Sequence, residues 1–198
     1  MKKTILALLL AATALLSASC SRNDPPPSDT QDTTENAGTG GTAATDTTAP
    51  VEEAKGYEGS LSELADEIYK KVPVELSVGT DKIDISNSDN VKYYLGLTSA
   101  DSIEEAVFSE PMINAQAYSL CLVRAKAGAD IHTMVKDIFE NVNTRKWVCV
   151  EADDLIVGNS GDIIMLIMTD SGFGDTLASD LYNAFTEIVG ADGEKLSK

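Results

Sequence analysis

Few residues in this chain could act as nucleophile or base. It has a single histidine, His132, and two cysteines beyond the N-terminal region, Cys121 and Cys149. A thiol beside an imidazole is one way to activate a nucleophile, so His132 with either cysteine is a candidate pair. No HExxH, Gly-x-Ser-x-Gly, P-loop, dinucleotide or CxxC motif accompanies it. A histidine at the start of a helix is more often an exposed residue without a catalytic role than a general base. We therefore predict no catalytic residue and no cofactor.

Two polar segments carry clustered carboxylates and could be considered for calcium. They contain Asp81, Asp84, Asn87 and Asp89 in the first, and Asp170, Ser171, Gly172 and Asp175 in the second. Calcium takes six to eight oxygen ligands, and neither segment has the EF-hand spacing or its closing glutamate. We therefore interpret them as solvated loops and helix caps, with Asp175 capping the last helix, and predict no metal site.

The two cysteines and the single tryptophan each allow two interpretations. Cys121 and Cys149 lie in apolar runs that read as strands, so they are either two small buried residues or the two halves of one disulfide. Trp147 follows Arg145 and Lys146. An exposed tryptophan beside cations would suit binding of a sugar or peptide, whereas a buried one would cover the sheet.

The N-terminal residues predict a secretion signal and a site of lipid attachment. Lys2 and Lys3 precede an apolar run from Ile5 to Leu16, which is too short to span a bilayer and is typical of a signal peptide. The run ends in Ser17-Ala18-Ser19-Cys20, which resembles the lipobox of bacterial lipoproteins. That resemblance implies cleavage before Cys20 and a diacylglyceryl group on its sulfur. Two acyl chains would hold the chain stably on a membrane.

The amino-acid composition limits the classes of molecule that the protein can bind. The chain has 198 residues, 32 acidic and 15 basic, and a formal charge of −17. Nucleic-acid binding depends on clustered lysine and arginine, so it is excluded as a function. The same charge disfavours docking flat on an anionic bilayer. The expected partners are the lipid bilayer, through acylated Cys20, and an unknown envelope protein or glycan.

Hydrophobic patterning divides the chain into three parts. Residues 1–19 are the signal peptide, 20–56 a disordered tether rich in Thr, Pro and Asp, and 57–198 a globular domain. The domain alternates strand-like runs with amphipathic helices, and hairpin links favour antiparallel pairing. We predict an α+β fold, a mostly antiparallel sheet of four to five strands with helices segregated on one face.

Particular segments define these elements. Helices are predicted from Ser60, which forms a capping box with Glu63, and over 88–95, 130–139 and 175–189. Strands are predicted over 103–110, 115–126, 147–150, 155–157 and 162–168, with a hairpin turn at 158–161. Residues 76–85 are ambiguous, and the tail after Gly190 is expected to be frayed.

Several of these motifs together resemble a known group. They are the lipobox, the tether, Tyr94-Leu95-Gly96-Leu97, Ser109-Glu110-Pro111-Met112-Ile113-Asn114-Ala115, Val123-Arg124-Ala125-Lys126 and Gly161-Asp162-Ile163-Ile164. The chain is similar to the DUF4358 group of lipoproteins from Firmicutes. The resemblance implies a Gram-positive-type envelope, an anchor in the outer leaflet of its only membrane, and free Cys121 and Cys149. The group has no assigned activity, so no catalytic residue follows from it.

The function predicted from these observations is a membrane-anchored extracytoplasmic lipoprotein, non-enzymatic, that binds a ligand or partner. Two alternatives remain open at this point. One is a cell-envelope enzyme resembling hydrolases that uses the thiol and imidazole or a pair of carboxylates. The other is a structural or assembly lipoprotein.

Overall fold

The structure is a computed structural model that describes residues 56–198. The signal peptide, Cys20 and nearly all of the predicted tether lie outside the described residues. The helices and strands follow in chain order: α1 (Leu61–Lys71), β1 (Val78–Lys82), α2 (Ser88–Leu95), β2 (Ile103–Pro111), β3 (Tyr118–Ala125), α3 (Ile131–Asn141), β4 (Asp154–Ser160), β5 (Ile163–Thr169), α4 (Leu177–Val189) and β6 (Lys195–Ser197).

The strands form one antiparallel sheet in the order β1-β2-β3-β5-β4-β6. The predicted α+β class is confirmed, but the sheet has six strands instead of the predicted four to five. The two additional strands are the outermost ones. They are short, five residues in β1 and three in β6, and carry too little alternation to be recognised in the sequence.

Helices cover both faces of the sheet, so the prediction that they occupy one face is wrong. Side chains alternate along each strand. Leu120 and Leu122 of β3 pack under α1 and α4, whereas Cys121 and Val123 pack under α2 and α3. The two central strands are therefore apolar on both sides, which explains the unbroken hydrophobic run in β5.

The helix ends follow from their capping residues, with one exception. Ser60 and Glu63 form the predicted capping box, and Asp130 caps α3 through the amide of Thr133. Asp175 does not cap α4. The N-cap is Thr176, which makes no side-chain capping bond.

The segment predicted as a strand over 147–150 is an irregular loop. Cys149 has a φ of 63°, a left-handed backbone conformation that cannot continue a strand. The hairpin turn is also displaced: β4 runs through Gly158 to Ser160, and the turn is made by Gly161 and Asp162. The tail contains β6 and is therefore not frayed over these residues.

The sheet has a proximal end, near Tyr57 at the start of the described residues, and a distal end opposite it. At the proximal end, β3 finishes at Ala125 and β5 begins at Ile163, close to Tyr57 and Gly59. At the distal end, β2 finishes, β3 begins, β5 finishes and β4 begins. A seven-residue strand separates the two ends by about 23 Å.

Candidate partner-binding site at the distal end of the sheet

Three loops meet at the distal end, and we call them the distal loops: residues 111–117, 142–153 and 170–176. They are joined by backbone hydrogen bonds. The Val148 amide donates to the Asn114 carbonyl at 3.1 Å, and the Asp170 amide donates to the Ala117 carbonyl at 2.9 Å. Asp153 accepts two hydrogen bonds from Ser171, both at 2.7 Å. The distal loops therefore form one connected surface.

This surface presents apolar side chains to solvent. Met112 is 85% exposed, Ile113 64% and Val148 60%. Tyr93 and Phe173 are the remaining large hydrophobic residues that are exposed within residues 56–198. Phe173 belongs to a distal loop, and the ring of Tyr93 lies beside Lys146 of another. Exposed apolar side chains gathered at one place are a sign of an interaction site, whereas scattered ones are not.

A groove lies beside Phe173. Its volume is about 310 Å³, and its apolar lining comes from Pro73, Val74, Leu76, Phe173 and Leu177. Residues 73–76 connect α1 to β1, so the groove opens at the same end of the sheet as the distal loops. Glu75 and Gln116 add polar atoms to its wall. The groove is large enough to receive a side chain from another molecule.

Lys146 fixes the middle distal loop to the sheet. Its side chain is only 1% exposed, and its Nζ pairs with Glu110 Oε1 at 2.5 Å and lies 3.1 Å from Ser119 Oγ. Ser119 donates in turn to Glu110 at 2.7 Å. A buried ammonium without a partner is very costly, so the pairing with Glu110 holds the loop in one position.

Three aromatic rings surround the same ammonium. Lys146 Nζ lies 5.0 Å from the ring centroid of Tyr93, 5.2 Å from that of Tyr94 and 5.4 Å from that of Trp147. These distances allow cation–π attraction between the ammonium and the rings. Trp147 is buried in the core, so of its two interpretations the covering of the sheet is confirmed. The Trp147 ring is not available to a sugar.

The charges of the distal loops are unbalanced. Lys146 pairs with Glu110, and Arg145 pairs with Glu151 at 3.0 Å. Asp153, Asp154, Asp170 and Asp175 have no ion-pair partner in the part of the chain that the structure describes. Hydrogen bonds from Ser171 lower the pKa of Asp153. Burial, followed by the charge of Asp153, raises the pKa of Asp154.

The two cysteines differ strongly in their surroundings. Cys121 is fully buried in β3, as predicted, and burial raises the pKa of its thiol to about 11. Cys149 is exposed on a distal loop, so its predicted burial is wrong. Both thiols are free, and the disulfide alternative is therefore excluded.

We expect N-ethylmaleimide at about pH 7.5 to modify Cys149 rapidly and to leave Cys121 unmodified until the protein unfolds, because the thiolate is the reactive form and Cys121 is both buried and protonated. Mass spectrometry of tryptic peptides, with and without denaturant, measures this directly. Equal rates at Cys121 and Cys149 in the native protein would contradict the geometry described here.

The proximal end is organised by Arg124. Its guanidinium donates to the carbonyls of Tyr57 at 2.9 Å and Gly59 at 2.8 Å, and pairs with Glu105 and Asp162 at 3.3 Å each. The side chain is 14% exposed. Arg124 thus fastens the first described residues to β3, so the described part of the chain begins at the proximal end.

The other residues singled out in the sequence are not brought together. His132 is exposed and its Nδ1 contacts Glu194 at 2.9 Å, near the proximal end of β4. Cys121 lies inside the core, where its sulfur contacts Ser119 and the carbonyl of Tyr94. Cys149 lies on a distal loop. Among residues 56–198 the imidazole therefore has no thiol partner, and the structure does not support His132 with Cys121 or Cys149 as a base and nucleophile.

The clustered carboxylates serve local turns and caps. Asp84 accepts from Ser86, Asn87 caps α2, and Asp170 accepts from the amide of Gly172. Within residues 56–198 no group of three or more His, Cys, Asp or Glu side chains is arranged to hold a metal ion. None of the helices there has the length and hydrophobicity needed to cross a bilayer.

Sequence reasoning missed the distal loops as a site. One signal was present, since Met112 and Ile113 are apolar residues between Pro111 and Asn114, where a solvated loop is normally polar. The pairing of Lys146 with Glu110 left no signal, because the two residues are 36 positions apart in the chain.

Comparison with known proteins gives no guide to the function. No family model matches the chain, and neither a curated protein nor a solved structure is significantly similar to it.

Proposed function

We propose that the protein is a membrane-anchored extracytoplasmic lipoprotein, attached through acylated Cys20, that binds an envelope partner at its distal loops and has no catalytic activity of its own. The observation that carries the proposal is the position of the exposed apolar side chains. Met112, Ile113 and Val148 lie at the end of the sheet opposite Tyr57, near which the described residues begin. An anchor attached through the N-terminal side of the domain would leave this apolar surface free to contact other molecules.

The dimensions support this arrangement. The predicted tether between Cys20 and Gly56 has a typical reach of roughly 30–35 Å if it behaves as a flexible chain. The sheet adds about 23 Å between its proximal and distal ends. The distal loops can therefore contact a partner well outside the lipid headgroups.

Metabolic labelling tests the anchor. Cells expressing the full chain are grown with labelled palmitate, and the protein is recovered by immunoprecipitation. We expect label in the wild-type protein and none in Cys20→Ala. Absence of label in the wild-type protein would refute the anchor.

Photo-cross-linking in living cells tests the binding end. A benzophenone amino acid is placed at Ile113 and, as a matched control, at Glu104, which is exposed at the proximal end of β2. We expect a discrete covalent adduct from position 113 that is absent from position 104. Either no adduct from position 113 or identical adducts from both positions would refute binding at the distal loops.

A further inference from the structure

The surface of the distal loops indicates what kind of molecule it can bind. Its most exposed apolar residues, Met112, Ile113 and Val148, are not aromatic, whereas the aromatic Tyr93 and Phe173 are less exposed. Aromatic side chains are the usual platforms for sugar rings, and the only tryptophan is buried beneath this surface. Non-aromatic apolar side chains next to a groove of about 310 Å³ suit apolar side chains of a polypeptide instead.

The charged side chains of the distal loops that have no ion-pair partner are all acidic. Each cation of the distal loops is already paired with its own glutamate, Lys146 with Glu110 and Arg145 with Glu151. The carboxylates that remain are Asp153, Asp170 and Asp175 in the loops, Asp154 at the adjoining start of β4, and Glu75 in the groove. An approaching cation would be attracted by all of them and would find no exposed cation of the loops that lacks a partner.

Asp154 is one carboxylate at which a cation from another molecule would be attracted. It is half-buried beside Asp153, and its pKa is raised by burial and by the neighbouring carboxylate, with Lys195 acting to a lesser extent in the opposite direction. A further cation placed there by another molecule would stabilise the charged form of Asp154.

We infer that the partner is a protein and that it docks through a segment with apolar side chains at its centre and lysine or arginine around them. The inference rests on the proposed function, because it describes the partner of the same distal loops. A second copy of this chain would bring like charges together, since each copy carries the same acidic surface. An anionic lipid surface would be repelled for the same reason.

The test uses a synthetic amphipathic helical peptide made of lysine and leucine as the probe. Two matched peptides replace lysine by glutamate or leucine by serine. The full chain is held in nanodiscs of neutral phosphatidylcholine, with empty nanodiscs as the blank, and binding is followed by anisotropy of a dye on the peptide. We expect the lysine–leucine peptide to bind at least about tenfold more tightly than either matched peptide, because both features are needed.

Substitutions in the protein locate the binding. The double variant Met112→Ser with Ile113→Ser removes apolar surface without adding charge, and we expect it to weaken binding about tenfold. Asp154→Asn with Asp175→Asn removes two distal charges, and we expect about threefold weaker binding with a smaller dependence on salt. The matched control, Asp101→Asn with Asp137→Asn, removes the same charge near the proximal end.

Any one of the following outcomes would overturn the inference. Equal weakening by the distal and proximal charge variants would mean attraction by net charge alone. Equal binding of the glutamate–leucine peptide would mean that charge has no role. Self-association of the protein that is lost in Met112→Ser with Ile113→Ser, measured by sedimentation, would make a second copy the occupant. If the cross-link from position 113 forms in cells while these peptide results fail, the proposed function stands and only the partner chemistry is wrong.

Discussion

Replacing Glu110 with alanine is expected to lower the free energy of unfolding by about 3–5 kcal/mol, because removal of one partner leaves the other charge buried and uncompensated. Lys146 is 1% exposed and its ammonium has Glu110 as its only carboxylate partner among the described residues. The hydroxyl of Ser119 and the rings of Tyr93, Tyr94 and Trp147 would remain, but none of them carries a negative charge. Denaturation by urea, followed by circular dichroism, measures the loss.

Two further variants separate the buried charge from general damage. Glu110→Leu combined with Lys146→Met removes both charges at similar volume, and we expect its stability to stay within about 1.5 kcal/mol of wild type. Lys71→Ala breaks an exposed ion pair with Glu187 and is expected to cost no more than about 1 kcal/mol. If Glu110→Ala were no more destabilising than Lys71→Ala, the buried pair would not be holding the distal loop.

Replacing Arg124 with alanine is expected to cost about 1.5–3 kcal/mol, the usual range for hydrogen bonds to a charged group. The substitution leaves the carbonyls of Tyr57 and Gly59 without their donor and removes the cation that Glu105 and Asp162 share. We expect amide hydrogen exchange to accelerate over residues 57–61 before it changes elsewhere, since this segment loses its attachment to β3.

The ability of the guanidinium to donate to two carbonyls at once can be tested separately from its charge. Arg124→Lys keeps the charge but cannot donate to both carbonyls in the same way, so its stability should fall between those of wild type and Arg124→Ala. Lys126→Ala, which removes an exposed bond to the carbonyl of Asp101, is the neighbouring control with an expected cost below about 0.5 kcal/mol. A loss of under about 0.5 kcal/mol for Arg124→Ala would show that the proximal attachment is not made by this residue.

The helices and central strands were predictable because their signals are local. The capping box at Ser60 and Glu63 begins α1, and alternation along β3 places Leu120 and Cys121 on opposite faces. Assigning helices to a face was not possible from the same information, since a strand that is apolar on both sides is compatible with one or two covering layers. The structure shows two.

The wrong predictions at residues 147–150 and 158–161 have physical causes that the local sequence pattern does not show. The run Trp147 to Val150 has strand-like composition, yet the burial of Lys146 and the left-handed backbone at Cys149 make it a loop. Gly158 looks like a turn residue but belongs to β4. A Cβ at that position would lie 2.3 Å from the carbonyl oxygen of Glu194, so the glycine permits close approach of the chain leading into β6.

The candidate site was less predictable than the fold. Its exposed residues Met112 and Ile113 are visible in the sequence as an apolar loop, but their position at the distal end depends on strand order. The pairing of Lys146 with Glu110 depends on contacts between segments far apart in the chain. Such contacts arise only when the complete sheet is assembled.

The two outermost strands have a consequence for the proposed attachment to a membrane. Such an anchor would raise the local concentration of neighbouring domains, and unpaired backbone at a sheet edge is a template for intermolecular strand addition. Here one edge is the five-residue β1, with Asp81 and Lys82 among its residues, and the other is the three-residue β6, which begins with Lys195. Short, charged edges of this kind resist edge-to-edge aggregation, and they leave the distal loops as the larger apolar surface open to other molecules.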